Sequence, residues 1–584
     1  MSAIPFHQFR PRVRMPVRAA LRLAPLGDIW HKPALSGVAA LAVVLLALLL
    51  AGRLDLTLYA SAGAMCALYG HGLPYAARAR ALGWVVLGML AGTAAALVTA
   101  ALTDSVAIRV AVAALLAGLH KAACDATRIG PPGNVVLTFI AASAAFVPEQ
   151  RLADVPAHVG LGVLGGLVAW AVGMAPGLLR PDGPERIAVA RALEATARLL
   201  HARDEDACSA RDGDARQARH AAATAVNAAW QTLLRAGDRR EGLRRLLVRA
   251  ESVAAARIGD REPSDRVAGD RQAGDRQAGD REACDREACD REPIDREPGG
   301  GVDADTLLGW ARELRKGRPV PEPPLCDART QAAEQAELTG IAAERVERTG
   351  RPASSPPALL ARWWRVVVMV AGGAALAGWV SMALGVGRPY WAVVTAAAVF
   401  AANTTMSWSR ALQRVVGNLL GVALFTLIVP VTRWGAVALV VAVLVLQFVT
   451  EAAITRNYWL GSVFVAPMAM LMTEFAGAEP VPALVADRWL DTCLGAAAGL
   501  LACVLLPDRR AAARVRDGLE RLERLVEEPL TGGRAARDRL RAALVELREA
   551  ADIAAGEWWS AALPQERIAA AERAGHHRLA ELSA

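Results

Sequence analysis

The sequence predicts an all-α, polytopic integral membrane protein: two parallel repeats of about six transmembrane helices, with further helices in the polar segments around them. Three observations carry that prediction. Residues 34–179 and 363–506 form two apolar blocks of similar length in a chain of 584 residues, whose apolar share of 54% exceeds the about 45–50% usual in soluble domains. Landmarks in the blocks recur about 331 positions apart, pairing Tyr59 with Tyr390, His120 with Glu451 and Pro176 with Pro507. Gly-x-x-x-Gly pairs, which let helices pack closely, sit in the third run of each block (Gly88/Gly92, Gly417/Gly421) and in the last (Gly162/Gly166, Gly495/Gly499). A duplicated multi-span unit can enclose a path between its copies, the pattern of transporters and channels.

Taken in order, residues 1–33 are basic, with Arg10, Arg12, Arg14, Arg18 and Arg22 interrupted by Pro11, Pro16 and Pro25. The first long apolar run begins only after Lys32 and Pro33 and is followed by many others, so no cleavable signal peptide is expected. In the first block, 34–179, apolar runs lie near 34–51, 56–70, 81–102, 106–122, 134–147 and 158–179. In the second, 363–507, they lie near 363–384, 390–402, 415–431, 434–454, 458–473 and 487–506. Crossing a bilayer takes about 20 apolar residues, and the second and fifth runs of each block fall short of that. The count is therefore ten to twelve. Basic residues favour twelve, because the N-terminal segment, the middle region and the C-terminal tail are all rich in arginine. Only an even number of spans per block keeps all three on one side of the membrane. Each block then enters from the same side, which makes the repeats parallel. Trp363, Trp364, Trp391, Trp434, Trp459 and Trp489 fall near predicted span ends, as an aromatic belt would.

The middle region, 180–362, reads as helices over 185–257 followed by a disordered linker at 259–301. From Asp260 to Glu297 an Asp-Arg pair recurs every five residues, a spacing that fits neither helix nor strand. Interspersed Gly and Pro discourage regular structure further. The tail, 508–584, carries two amphipathic stripes: Val515, Leu519, Leu522 and Val526, then Leu540, Leu544, Leu547 and Ala551. Such stripes need a partner surface, and the helices of 185–257 are the candidates.

Several function classes drop out. Net charge is +8 and almost all arginine, but no aromatic-interleaved basic motif points to nucleic acid. The eight cysteines form no Cys-x-x-Cys, so neither a disulfide framework nor a metal site is expected. The chain lacks a phosphate-binding Gly-x-x-x-x-Gly-Lys loop, a nucleophile elbow and a His-Glu-x-x-His helix. No enzyme activity and no cofactor is expected, and energy for active transport would come from an ion gradient or a partner.

Charges at membrane depth carry the remaining signal, since each costs about 2.5–3.5 kcal/mol at a span centre on insertion scales. Asp487, Arg488 and Asp491 open the last span within one helical turn of each other. They form either an interfacial ion pair or a gate that combines an anion-attracting arginine with a proton-responsive carboxylate. Glu451 and its register mate His120 are titratable groups at matching positions of the two blocks, read either as helix-end charges or as a polar path between the blocks.

In the second block the run Arg388-Pro389-Tyr390-Trp391-Ala392-Val393-Val394-Thr395 leads a span, followed by Arg410, Arg414 and Gly417-Asn418-Leu419-Leu420-Gly421. Asp487-Arg488-Trp489-Leu490-Asp491-Thr492-Cys493-Leu494-Gly495 opens the final span. This pattern resembles the fusaric acid resistance family, also grouped with aromatic acid exporters. The likeness is good over 363–507 and weaker over 34–179. It implies a bacterial inner-membrane protein with cytoplasmic termini, whose work is efflux of small organic anions such as aromatic carboxylates. It makes Arg388, Tyr390, Trp391, Thr395, Arg410, Asp487, Arg488 and Asp491 the positions of interest. Tyr390 and Trp391 are expected to stack on an aromatic ring, and Asp491 or Glu451 to couple protons. A passive anion channel and a non-transporting scaffold are the rival readings. Beyond lipid, anion and protons, a homo-oligomer or a periplasmic or membrane partner is admitted.

Overall fold

The computed structural model describes residues 15–127, 129–206, 212–236, 240–259, 302–323, 356–474, 480–505, 511–528, 533–557 and most of 564–578. The Asp-Arg repeat lies outside them. Every regular element among the described residues is a helix. The chain divides into two compact units: Met1–Pro181 with Pro352–Val515 and Ala550–Leu563, and Asp182–Arg351 with Arg516–Glu549 and Pro564–Ala584.

The first unit contains both apolar blocks. We label its helices α1 (His31–Leu50), α2 (Thr57–Ala64), α3 (Tyr75–Leu102), α4 (Val106–Thr127), α5 (Asn134–Ala144) and α6 (Val155–Leu179). The second block continues with α7 (Pro356–Ala383), α8 (Tyr390–Val399), α9 (Thr404–Thr432), α10 (Ala436–Ile454), α11 (Tyr458–Glu474) and α12 (Val481–Leu505). Among the described residues, eight helices of this unit are long and apolar enough to cross a membrane. The other four, the second and fifth of each block, are shorter, as the run lengths predicted. Leu50, Trp84, Leu178, Leu427 and Trp434 are exposed on its outside, which suits a surface facing lipid. The chain is a membrane protein.

The same helix pairs pack in both blocks. α1 meets α2 and α6 as α7 meets α8 and α12, and α3 meets α5 and α6 as α9 meets α11 and α12. Contacts between the blocks are reciprocal as well: α7 lies on α4, and α1 lies on α10.

At the centre stand the short helices. Every residue of α8 is buried, as is every residue of α2 except Leu58. A helix apolar on all sides has no face for water, and only protein or lipid can surround it. Glycine lets the neighbours come close. A Cβ on Gly495 would stand 2.6 Å from the Ala392 carbonyl, and one on Gly499 would stand 2.9 Å from the Ala396 carbonyl, so α12 lies on the bare backbone of α8. In the first block Gly165 of α6 meets the Ala60 carbonyl of α2 in the same way, and Gly63 of α2 meets Gly162. Gly417 and Gly421 likewise bring α9 onto α11. Gly88 is the exception, with nothing near it.

Beyond α8 the backbone turns extended at Phe400, and Asn403 restarts the helix by accepting from the Met406 amide at 2.8 Å. The segment after Ala550 covers this turn. The Thr405 amide donates to the Gly556 carbonyl at 3.0 Å, and the Thr404 hydroxyl donates to Glu557 Oε2 at 2.6 Å. At the other end of the chain, the carbonyls of Ala20, Leu21 and Arg22 accept from Gln413, Asn457 and Trp459. Trp459 is therefore held by the N-terminal segment.

In the second unit the two predicted stripes pack together: Leu519, Leu522, Leu540, Leu544 and Leu547 are buried, and Gly518 faces Leu547. Arg541 pairs with Glu251, which ties the tail to the helix Glu241–Gly259. Asp303 caps Ala304–Lys316, and hydrogen bonding from Thr306 holds its carboxyl below the usual range.

The packing makes opposite predictions for two glycines. Gly495→Leu should drive α12 off α8 and give aggregated or poorly melting protein. Gly88→Ala should leave the melting transition unchanged or raise stability by roughly 0.5–1 kcal/mol, because Ala favours the helix and meets no neighbour. Thermal unfolding in detergent micelles distinguishes the two.

Candidate functional site

The helical repeat of α12 sorts its residues by face. Leu484, Arg488, Asp491, Thr492, Gly495, Ala496, Gly499 and Cys503 are buried, whereas Trp489 and Leu490 are exposed. The face that carries the glycines onto α8 therefore also carries Arg488 and Asp491 inward. Arg488 is only 2% exposed. Its Nη2 donates to Asn418 Oδ1 of α9 at 3.4 Å, and its Cζ lies 4.7 Å from the ring centre of Trp391 on α8. Arg388 approaches the same ring at 5.3 Å and donates from Nη1 to the Tyr390 hydroxyl at 3.4 Å. Trp391 thus holds two guanidinium groups by cation–π attraction, which is worth more in a desolvated site than at a surface.

The charges are incompletely matched. Arg488 makes no ion pair among the described residues, and its Nε and Nη1 have no hydrogen-bond partner there. Asp491 is 0% exposed, accepts from Ser381 Oγ of α7 at 2.5 Å, and leaves Oδ2 unpartnered. Removing ions from water costs several kcal/mol each unless close partners compensate. Here the compensation comes from an aromatic face, one amide and one hydroxyl. An arrangement of this kind can accept an anion beside the arginine and a proton beside the aspartate. Tyr390 also packs on Phe146 at 5.5 Å, so the first block forms part of the wall.

The other predicted positions scatter. Thr395 is buried on α8 against Gly495. Asp487 lies against Gly387 at the edge of the cluster. Arg410 stands apart, over the ring of Tyr458 at 4.1 Å, with Arg414 donating to the Tyr458 hydroxyl at 2.6 Å. Glu451 accepts from Gln447 on its own helix at 3.2 Å, while His120 packs against Gly92 of α3. Among the described residues no hydrogen bond or ion pair joins His120 to Glu451, so equal spacing in the sequence does not pair them. Two expectations for Trp391 change. It is 1% exposed, so it is not a belt residue, and its ring is occupied by arginines and not free to stack on a ligand.

Ser381, Asn418 and Phe146 complete the cluster and were not picked out as site residues from the sequence. Ser381 and Asn418 carried a usable signal, as polar residues inside apolar runs. Phe146 carried none, since its role depends on how the blocks pack. In the first block the counterpart of Tyr390 is Tyr59, whose ring stacks at 3.7 Å on His158, and His158 Nδ1 lies 3.0 Å from Gln150 Oε1.

The burial pattern predicts different costs for two substitutions. Ser381→Ala removes a bond to a buried carboxylate and should lower stability by roughly 1.5–3 kcal/mol. Arg488→Met keeps the volume while removing a poorly compensated charge, so its unfolding temperature in micelles should equal or exceed that of the wild type.

Comparisons with known proteins bear on this region. Residues 376–502 match the family described as Fusaric acid resistance protein-like. That span runs from within α7 to within α12 and includes every residue of the Arg488 cluster except Phe146. The chain is also 34% identical over 184 residues to the Uncharacterized membrane protein YvaC of Bacillus subtilis (strain 168), a match covering 30% of this chain and 29% of that protein. No solved structure matches. The likeness to the fusaric acid resistance protein-like family thus lies within the second apolar block, and the matched segment spans less than a third of the curated relative's length.

Proposed function

We propose that this protein exports small organic anions, aromatic carboxylates among them, across a bacterial inner membrane, driven by an ion gradient. One observation carries the reading: a buried arginine without an ion pair, Arg488, held on Trp391 beside the unpartnered oxygen of Asp491. The anion would bind Arg488, with Arg388 alongside, and Trp391 would keep both guanidinium groups in place. Asp491 would take up the coupling proton, with Ser381 fixing its other oxygen.

In this reading the blocks are parallel repeats, and the reciprocal contacts of α7 with α4 and α1 with α10 support that. The short helices belong to the crossing. Ten helical residues rise about 15 Å, about half of the roughly 30 Å of a bilayer core, and the non-helical backbone from Phe400 to Asn403 continues beyond them. Non-helical backbone at that depth is tolerated only inside protein or beside a water-filled cavity. The non-helical turns at Gly70–Pro74 and Phe400–Asn403 are therefore natural walls of the path. Such interrupted helices at matching positions of two halves mark the binding region in many transporters. The termini and the arginine-rich middle region would lie in the cytoplasm, as the bias of basic residues to the inner side expects.

The test is export from cells loaded with a panel of labelled weak acids, benzoate included. Wild type should lower internal benzoate below its equilibrium value, and a protonophore should abolish the difference. Arg488→Met should reduce export at least to about a tenth, the effect of losing a charge-assisted hydrogen bond. Asp491→Asn should leave downhill flux without accumulation. Downhill flux alone in the wild type would favour a channel, and full export by Arg488→Met would remove the site assignment.

A further inference from the structure

A second buried arginine lies in the first block, outside the Arg488 cluster. Arg78 stands in the first turn of α3 and is 4% exposed. Its Nη2 lies 3.1 Å from His71 Nδ1, and its Nε is buried without a hydrogen-bond partner. No carboxylate pairs with it among the described residues. His71 cannot supply negative charge. Its Nε2 lies 3.1 Å from the Ala67 carbonyl, to which it must donate, so the ring is the neutral tautomer whose Nδ1 accepts from Arg78. The carbonyl end of the helix before His71 provides a partial charge of about half an electron, which offsets only part of a guanidinium.

Two glycines make the place that this side chain occupies, and a third lies open beside it. Gly70 has φ +74°, and a Cβ there would stand 3.3 Å from Arg78 Cγ. A Cβ on Gly173 of α6 would stand 3.6 Å from Nη2. Gly72 has nothing within 4 Å, which leaves an approach along the half-buried His71. The equivalent turn of the second block, about 331 residues later, receives a carboxylate from the chain itself, where Glu557 meets Thr404.

We infer that Arg78, with His71 and the Gly70–Gly72 turn, forms a second anion site that takes a small monovalent carboxylate from outside the chain. In the orientation proposed above this turn lies at the inner mouth, where cargo would enter; that placement rests on the transport reading, but the binding site does not. A carboxylate accepting from Nε would supply the missing partner in the strong geometry that guanidinium and carboxylate share.

Calorimetric titration of benzoate into the full chain in micelles tests this, with Arg488→Met as the background so that the first site is silent. That variant should keep one saturable benzoate site. Adding Arg78→Met should weaken it roughly 10- to 100-fold, as the loss of a charge-assisted bond does, while Arg78→Lys should bind at intermediate strength. Gel filtration and circular dichroism report whether each variant folds, and the Arg78→Lys arm decides the matter if Arg78→Met does not. Equal benzoate binding with and without Arg78 would overturn the inference, and so would chloride binding as tightly as benzoate. A failed export assay with intact Arg78-dependent binding would count against the transport reading alone.

Discussion

Close backbone contact between α12 and α8 is the constraint on which the rest of the candidate site depends. Gly495 and Gly499 let α12 lie directly on the carbonyls of Ala392 and Ala396. In lipid there is no hydrophobic force between helices, so packing of this kind, with interhelical hydrogen bonds, holds a bundle together. The contact fixes the rotation of α12. Once Gly495 and Gly499 face α8, Arg488 and Asp491, two turns and one turn earlier on the same face, must point into the protein. The position of the charge is thus a consequence of where the glycines are.

The same contact explains how α8 can be so short. A ten-residue helix gains little from its own hydrogen bonds, and its stability comes from being enclosed. Enclosure then permits the extended turn at Phe400–Asn403, because the freed backbone groups meet protein: the Ala401 amide donates to Ser407 Oγ at 3.0 Å, and Thr405 bonds Gly556. The first block repeats the plan with α2, Gly165 and the turn at Gly70–Pro74, but with different polar residues. Where the second block has Arg488 over Trp391, the first has Tyr59 stacked on His158. Where the second has Glu557 on Thr404, the first has Arg78 with no carboxylate among the described residues. Matching helix pairs pack in both blocks, and the polar residues they carry differ.

Much of this was legible in the sequence. Run lengths of apolar residues gave the helices in order, and the shortness of the second and fifth runs marked the helices that are short in the structure. The turn-by-turn spacing of Asp487, Arg488 and Asp491 announced a common region, although Asp487 sits at its edge. Other features were hidden because they depend on contacts between distant segments. The Trp391 ring could not be known to hold two arginines, since a tryptophan beside Pro389 reads equally well as a belt residue. His120 and Glu451 matched in spacing and yet have different neighbours, Gly92 for the one and Gln447 for the other. The register of the glycines also shifted: Gly165, not Gly162, plays against Ala60 the part that Gly495 plays against Ala392.

The central claim is that an exported anion binds at Arg488. The most direct measurement is a structure of the full chain with 4-bromobenzoate, located by the anomalous signal of bromine. The account predicts a carboxylate within hydrogen-bond distance of Arg488 Nε or Nη1, with Trp391 still beneath the guanidinium. Bromobenzoate bound only elsewhere in a protein that exports it, with Arg488 untouched, would contradict the account.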